Sequence, residues 1–363
     1  MHIPNHVLTD AVMKLRENTP YFEAPLRTWQ NAGLLQINLV TSGCRNACSM
    51  CNYVRKDRVM DEKQVMYEMA RAFDSAKHPY DRVLLGTFGS ILDPLESPRN
   101  VVGKMLDYVA ENHTGTVILE THCTTIDDKT LDWVRERLGD RKIAIEMGLE
   151  SSDSYVQNKI LNKNISNNAF RQAIDTIHKH DMLASANVLV GGPVMNTAEI
   201  MKYAIQTARD AVAWGCDDII LFPLNIKPYT LTEWLYERDM CLPVSMHTFH
   251  RVLETLVQDT PVAWKLHTAW YGDHQHGDVI TASAPVCCKK CEPEFVEFNR
   301  QLNRTFGMPD RAAVLQEMFA NFKVPDCGCA DITYELAPPP LSLEARTRIM
   351  VGTVKKQLLQ ANY

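Results

Sequence analysis

The chain has 363 residues, 45% of them hydrophobic and 23% charged, which excludes a largely disordered or collagen-like protein. Thirty-eight basic and 44 acidic residues leave a net charge of −6, so the basic excess usual in nucleic-acid binders is missing. Eleven cysteines stand with no N-terminal basic-then-apolar segment, and no run reaches the ~18 apolar residues of a membrane span. A cytoplasmic location is expected, where thiols bind metals or react more often than they form disulfides.

Residues 1–32 are polar, broken by Pro4, Pro20 and Pro25, and read as an N-terminal extension. From Gly33 short apolar runs follow: Leu34 to Val40, Arg82 to Phe88, Gly115 to His122, Lys142 to Glu150, Met182 to Val190 and Cys216 to Leu224. Each is rich in Val, Ile and Leu and bounded by Gly, Asp, Asn or Pro, as strands buried on both faces are. Between them Asp61 to Lys77, Asp127 to Leu138, Asn167 to Lys179 and Thr197 to Trp214 carry helical spacing and polar caps. Strands alternating with helices predict an α/β fold with a parallel sheet. Six units fall two short of an eightfold barrel, leaving a partial (β/α)6 barrel or an open sheet over residues 33–228. In either, ligands gather at the carboxyl ends of the strands.

Beyond residue 228 the chain reads as mainly helical and cysteine-rich, over 229–363. Helices are expected at Leu231 to Arg238, Met246 to Val257, Pro293 to Thr305, Pro309 to Asn321 and Leu343 to Leu359. The stretch Trp264 to His276, with His267, Trp270, Tyr271, His274 and His276, reads as pocket lining or a cover for the open barrel flank.

Directly after the first strand comes TSGCRNACSMCNY, with Cys44, Cys48 and Cys51 spaced C-x3-C-x2-C. Three thiolates on one short loop can hold an iron–sulfur cube while leaving one iron open. Zinc prefers four protein ligands and C-x2-C pairs. Arg45, Arg55, Lys56 and Arg58 surround the loop. With this loop at the head of a β/α array, the chain resembles the radical S-adenosylmethionine (SAM) superfamily. The resemblance implies a [4Fe–4S] cluster whose open iron is chelated by SAM, reductive cleavage of SAM to a carbon radical, and an external donor such as flavodoxin or ferredoxin. It further implies SAM contacts from Gly89 and Ser90 after the second strand, Glu120 ending the third, Glu146 and Glu150 on the fourth, and Asn187 on the fifth. The segments TFGSILDPLESP, IEMGLESSDSYVQNKILNKNIS and PLNIKPYTLTEWLYERDMCLP resemble the subgroup related to archaeosine synthase, and more distantly the elongator-type proteins.

A second set follows: Cys287, Cys288 and Cys291, then Cys327 and Cys329. Three readings are open. Cys288, Cys291, Cys327 and Cys329 would supply a four-thiolate zinc site, leaving Cys287 over. The same set could bind an auxiliary iron–sulfur cluster. Alternatively Cys287, Cys288 and Cys291 receive a soft substrate, since VCCKKC is similar to a motif of the arsinothricin-biosynthesis radical SAM enzyme, which transfers a 3-amino-3-carboxypropyl group to trivalent arsenic. Cys123, Cys216 and Cys241 stand alone in apolar surroundings and read as core residues.

The expected function is therefore radical SAM chemistry on a small molecule in specialised biosynthesis, with arsenic transfer as its concrete form. The alternative implied by the subgroup is C–N bond cleavage in a lysine adduct of 7-deazaguanine in tRNA. The acidic balance favours the small molecule.

Overall fold

The structure, a computed structural model, describes residues 5–20, 24–31, 33–53, 61–269, 280–323, 325–327 and 340–360. The amino end carries two elements that its prolines conceal. Asn5–Arg16 is a helix (α1), with Val7, Leu8, Ala11 and Val12 buried at helical spacing. Leu26–Asn31 is a strand (β1) that pairs antiparallel with Gly33–Leu39 (β2), Leu26 lying opposite Leu39.

The six apolar runs form the strands expected of them. After β2 come Tyr80–Thr87 (β3), Thr116–Thr121 (β4), Ile143–Glu150 (β5), Leu183–Val190 (β6) and Asp218–Pro223 (β7). Leu266–Thr268 (β8) adds a short strand on β7, and the sheet runs β1 to β8 in sequence order, parallel from β2 onward. Among the described residues the ladder is linear, so β1 and β8 are its edges and the barrel is partial.

Glu62–Asp74 (α2), Arg99–Asn112 (α3), Asp128–Leu138 (α4), Asn167–Lys179 (α5) and Thr197–Ala213 (α6) connect the strands. Their starts follow from sequence. Asp61, Asp127 and Ser166 accept backbone N–H groups of the first turn, and Asn196 with Glu199 forms a capping box. The face of α5 that carries Phe170, Ala173, Ile174 and Ile177 is buried. At about 1.5–3 kcal/mol for each large apolar side chain, that face outweighs intrinsic propensity in fixing the helix.

Alternation within each strand separates two environments. Val117, Leu119 and Thr121 of β4 are buried, whereas Ile118 and Glu120 line a cavity in the bore.

Leu231–Tyr236 (α7), Met246–Val257 (α8), Thr260–Ala263 (α9), Glu292–Arg304 (α10), Arg311–Asn321 (α11) and Leu343–Thr353 (α12) complete the chain. The apolar faces of α8, α10 and α11 join the barrel's own core without a break, through Phe249, Phe295, Phe298, Leu315 and Phe319. A smaller core lies below the loop that follows β2, where α1, α7 and α12 meet around Ala47, Leu224, Trp234 and Met350. Among the described residues no helix is long and apolar enough to cross a membrane.

Candidate active site at the carboxyl ends of the strands

The loop after β2 begins with Gly43 at φ 95°, a backbone conformation that glycine adopts at little cost. Thr41 holds the turn: its hydroxyl accepts from the Gly43 amide at 3.2 Å and from the Thr87 hydroxyl at 3.2 Å. The three thiols follow, Cys48 buried and Cys44 and Cys51 half-buried. Two backbone amides point at sulfur, Asn46 N at Cys44 and Tyr53 N at Cys51, each at 3.4 Å. The loop is pinned from outside as well. Asn162 Nδ2 donates to the Ala47 carbonyl at 2.8 Å, and Ser49 N donates to the Leu161 carbonyl at 2.9 Å. Arg16, buried at the end of α1, donates to the carbonyls of Cys51 at 3.0 Å and Asn46 at 2.6 Å.

Burial, then the neighbouring Cys51 and Glu96, push the Cys44 thiol up to about 12, and burial pushes Cys48 up to about 11. As bare thiols these two keep their protons at neutral pH. A cationic metal centre would draw the protons off.

Gly89 and Ser90 lie beside this loop. A Cβ on Gly89 would collide with Glu96 Oε2 and come within 3.5 Å of the Cys44 Cα. Glu96 is held from both sides: Arg45 N donates to Oε1 and Ser90 N to Oε2, each at 2.7 Å. The Arg45 guanidinium pairs with Asp93. The Ser90 hydroxyl bonds Thr121 Oγ1 and accepts from His122 N, both at 2.7 Å, so its side chain and amide are committed to the fold. Asp93 and Glu96 were not anticipated as site residues. Their sign in the sequence is the DPLE run directly after the Gly-Ser turn.

Deeper in the bore, pairing aligns a polar rung across neighbouring strands. Asn38 of β2 is level with Gly86 of β3, and Glu120 of β4 is level with Glu146 of β5 and Ser185 of β6. A side chain at Gly86 would collide with Asn38, and its Cβ would sit 2.8 Å from Glu120 Oε2. Burial pushes both carboxyls up, Glu120 to about 7 against the opposing pull of Lys163 and Lys227, and Glu146 to about 8 with Glu120 beside it raising it further. Asn187 on β6 lies beside Glu146, and its buried Oδ1 has no hydrogen-bond partner among the described residues. Such an orphaned acceptor on a cavity wall suits a ligand N–H or O–H.

Glu150 ends β5 at φ 62° and accepts from Lys163 Nζ at 2.9 Å. Burial opposes the lysine's charge, but Glu150 and the thiols of Cys48 and Cys44 outweigh it and raise the Lys163 pKa. Gly148 makes the pair possible, because any Cβ there would collide with Lys163 Nζ. Lys163 sits in the NKN turn of a segment noted for family likeness, yet nothing in its spacing marks it as facing the thiols.

Cys51, Glu120, Glu146, Glu150 and Asn187 all line one cavity of about 1380 Å³. Residues 38–204 match the family model described as the radical SAM superfamily. The chain carries a radical SAM domain.

Two curated relatives place that domain further. One is an uncharacterised protein of Methanocaldococcus jannaschii, 24% identical over 243 residues, 63% of this chain and 66% of that protein. The chain thus spans just under two thirds of this relative's length. The other is the archaeosine synthase subunit beta of Methanosarcina acetivorans, 21% identical over 345 residues, 90% of this chain and 94% of that protein. Among solved structures, methylornithine synthase is similar at 15% identity, covering 86% of this chain and 91% of that one with a TM-score of 0.48.

The cofactors of a radical SAM domain are a [4Fe–4S] cluster and SAM, and the residues present fit both. Cys44, Cys48 and Cys51 supply three thiols on one loop that opens onto the cavity through Cys51. Among the described residues, the set whose three ligand atoms lie within 4.8 Å of one another is a different one, so the loop thiols stand wider than a single ion requires. The unpartnered Asn187 Oδ1 and the carboxylate of Glu150 face the cavity with polar atoms of the kind a SAM amine or hydroxyl would need.

The carboxyl pair sets a pH dependence of the cluster-free radical SAM domain. Below pH 4.5 both folded and unfolded chains keep these protons. Between 4.5 and about 8 the folded chain retains protons the unfolded chain has released, so stability falls as pH rises. The expected slope is about 1.4 kcal/mol per pH unit for each retained proton, and Glu146→Gln flattens it. Urea unfolding between pH 5 and 8 measures both; equal slopes would refute the assignment.

The second cysteine set assembles only in part as expected. Cys288, Cys291 and Cys327 come together, with Cys288 Sγ 3.7 Å from Cys291 Sγ, and Cys329 lies outside the described residues. His247 of α8 joins them, its Nε2 4.0 Å from Cys327 Sγ. Cys287 packs half-buried against the main core. Cys123, Cys216 and Cys241 are buried thiols in apolar packing, as expected. His267 reaches Asp218 at 3.6 Å beneath the Phe306 ring. Arg55, Lys56, Arg58, Trp270, Tyr271, His274 and His276 lie outside the described residues.

Proposed function

We propose that this chain is an enzyme that reductively cleaves SAM at a cluster on Cys44, Cys48 and Cys51 and acts on a small, amine-bearing substrate in the barrel cavity. The observation that carries this reading is the cavity itself, about 1380 Å³, with Cys51 on the same wall system as the Glu120–Glu146 rung. When bound, the cluster supplies an electron to SAM, and SAM supplies the carbon radical. The chain's own residues do the rest. Lys163 and Glu150 order the floor under Cys48. Gly89, Ser90 and Glu96 brace the loop against the neighbouring strand end. Glu120 and Glu146, whose pKa values burial raises, ionise beside a cationic amine, because an opposite charge offsets the cost of burial. Asn187 Oδ1 accepts from the ligand.

A second reading rests on the similarity spanning 94% of the archaeosine synthase subunit beta. In it the amine belongs to a lysine adduct of 7-deazaguanine in tRNA, and a C–N bond is cut. Aminocarboxypropyl transfer to trivalent arsenic instead needs thiol receivers on the cavity. Cys287, Cys288 and Cys291 are not among its described lining residues, which favours the amine substrate.

One chromatogram tests these readings. The reconstituted protein, with dithionite and SAM under anaerobic conditions, is expected to release 5′-deoxyadenosine whether or not arsenite is present. Release of 5′-methylthioadenosine only with arsenite would overturn the proposal in favour of aminocarboxypropyl transfer. Steeply salt-sensitive retention of tRNA would move the substrate to the second reading.

A further inference from the structure

We propose that His247, Cys288, Cys291 and Cys327 hold a single zinc ion, separate from the barrel cluster, that fastens α8, the turn before α10 and the segment after α11 to one another. The ligands come from three stretches far apart in sequence. His247 is the second residue of α8, Cys288 and Cys291 flank a tight turn with Cys291 N donating to the Cys288 carbonyl at 3.2 Å, and Cys327 follows α11.

The distances fit convergence on one ion. With Zn–S of about 2.3 Å and Zn–N of about 2.0–2.1 Å, a tetrahedral site separates two sulfurs by about 3.8 Å and a sulfur from a nitrogen by about 3.6 Å. The structure has Cys327 Sγ and His247 Nε2 at 4.0 Å, with the ligand atoms of His247, Cys291 and Cys327 all within 4.8 Å of one another, and Cys288 Sγ stands beside this trio, 3.7 Å from Cys291 Sγ, as the thiol placed to turn in and close the tetrahedron. A disulfide would need the two sulfurs at about 2.05 Å, so the 3.7 Å pair is two thiols. Thiolates on separate irons of a cluster stand wider than ligands converging on one ion. Three thiolates with one imidazole form a borderline-soft, closed set that suits structural zinc. Cys291 and His247 are buried, the latter with its ring edge-on to Phe295 at 5.2 Å, so a bound ion would be shielded from water.

The set assigns His247 the place that spacing alone gave to Cys329. It also engages two of the three thiols that an arsenic receiver would need.

Metal analysis of the full-length protein, purified without chelator, tests this. One equivalent of zinc is expected in addition to the cluster iron. Cys44→Ala should lose iron and keep zinc, which separates this site from the cofactor loop. His247→Ala and Cys327→Ala should each weaken zinc retention at least roughly tenfold against a competing chelating dye, while His247→Cys and Cys329→Ala retain it. Because a ligand variant can misfold, cobalt(II) titration of the unaltered chain is the companion measurement. It should give thiolate-to-cobalt charge-transfer absorption that zinc abolishes, and intensify in His247→Cys. Zinc held equally well without His247, zinc lost with Cys329→Ala, no cobalt–thiolate band in the unaltered chain, or iron lost in Cys291→Ala would each overturn the proposal.

Discussion

Cys48→Ala is expected to abolish both the brown iron–sulfur absorbance and SAM cleavage, leaving turnover at the background of dithionite and SAM alone. Cys48 is the buried member of the three, enclosed by the loop backbone and set near the Lys163 and Arg16 charges. Two thiols cannot hold the three irons that the open-site arrangement requires. Cys123→Ala is the matched comparison. That thiol is equally buried just beyond β4 but lies outside the loop that carries the other three, packed into the main core. It should bind a full complement of iron. If Cys48→Ala kept its cluster, or if Cys123→Ala lost one, the assignment of the loop would be wrong.

Lys163→Met is expected to cost about 3–5 kcal/mol, the range for removing one partner of a buried ion pair. Both members are nearly enclosed, the lysine side chain 10% and the glutamate 13% exposed, so solvent screening does little to soften the loss. The variant strands Glu150 without its cation and strips a positive charge that acts on the Cys44 and Cys48 thiols. Adding Glu150→Gln removes the second charge and should restore most of the stability, because a pair neutralised on both sides leaves no buried ion. Denaturant midpoints of the single and double variants, read beside SAM affinity, separate the two roles. Recovered folding without recovered SAM binding would mark the pair as part of the binding surface. Full recovery of both would mark it as scaffold, and a single variant as stable as the parent would refute the pair.

The barrel strands were legible because residues buried on both faces leave continuous runs of Val, Ile and Leu that little else produces. The cysteine loop was legible because its chemistry is carried by consecutive residues. What escaped reading depends on contact between distant segments. Helix α1 hid behind its flanking prolines although Val7, Leu8, Ala11 and Val12 repeat at helical spacing. The strands β1 and β8 are edges, short and half-polar, so the apolar run that betrays a central strand is missing from both. Helix α3 follows a long turn and shows no side-chain cap at Pro98, which removed the usual start signal. Glu120, Glu146 and Asn187 were marked by resemblance, but their alignment with Asn38 and Gly86 comes from strand register, which one sequence does not disclose. His247 lies 44 positions before Cys291 and 80 before Cys327, so only folding reveals it as their neighbour.

The amino-terminal helix bears on how this protein should be handled. Arg16 is the last residue of α1, and its side chain reaches the loop carbonyls of Asn46 and Cys51. Lys14 at the same end holds the carbonyl of Leu358 at 2.9 Å, close to the opposite terminus. A shortened version that begins after this helix would keep every thiol yet free two carbonyls of the loop that carries them and loosen the last turns of the chain. Such a preparation would be expected to fold and then shed iron in air faster than the full-length chain. The first sixteen residues are therefore a poor place to trim.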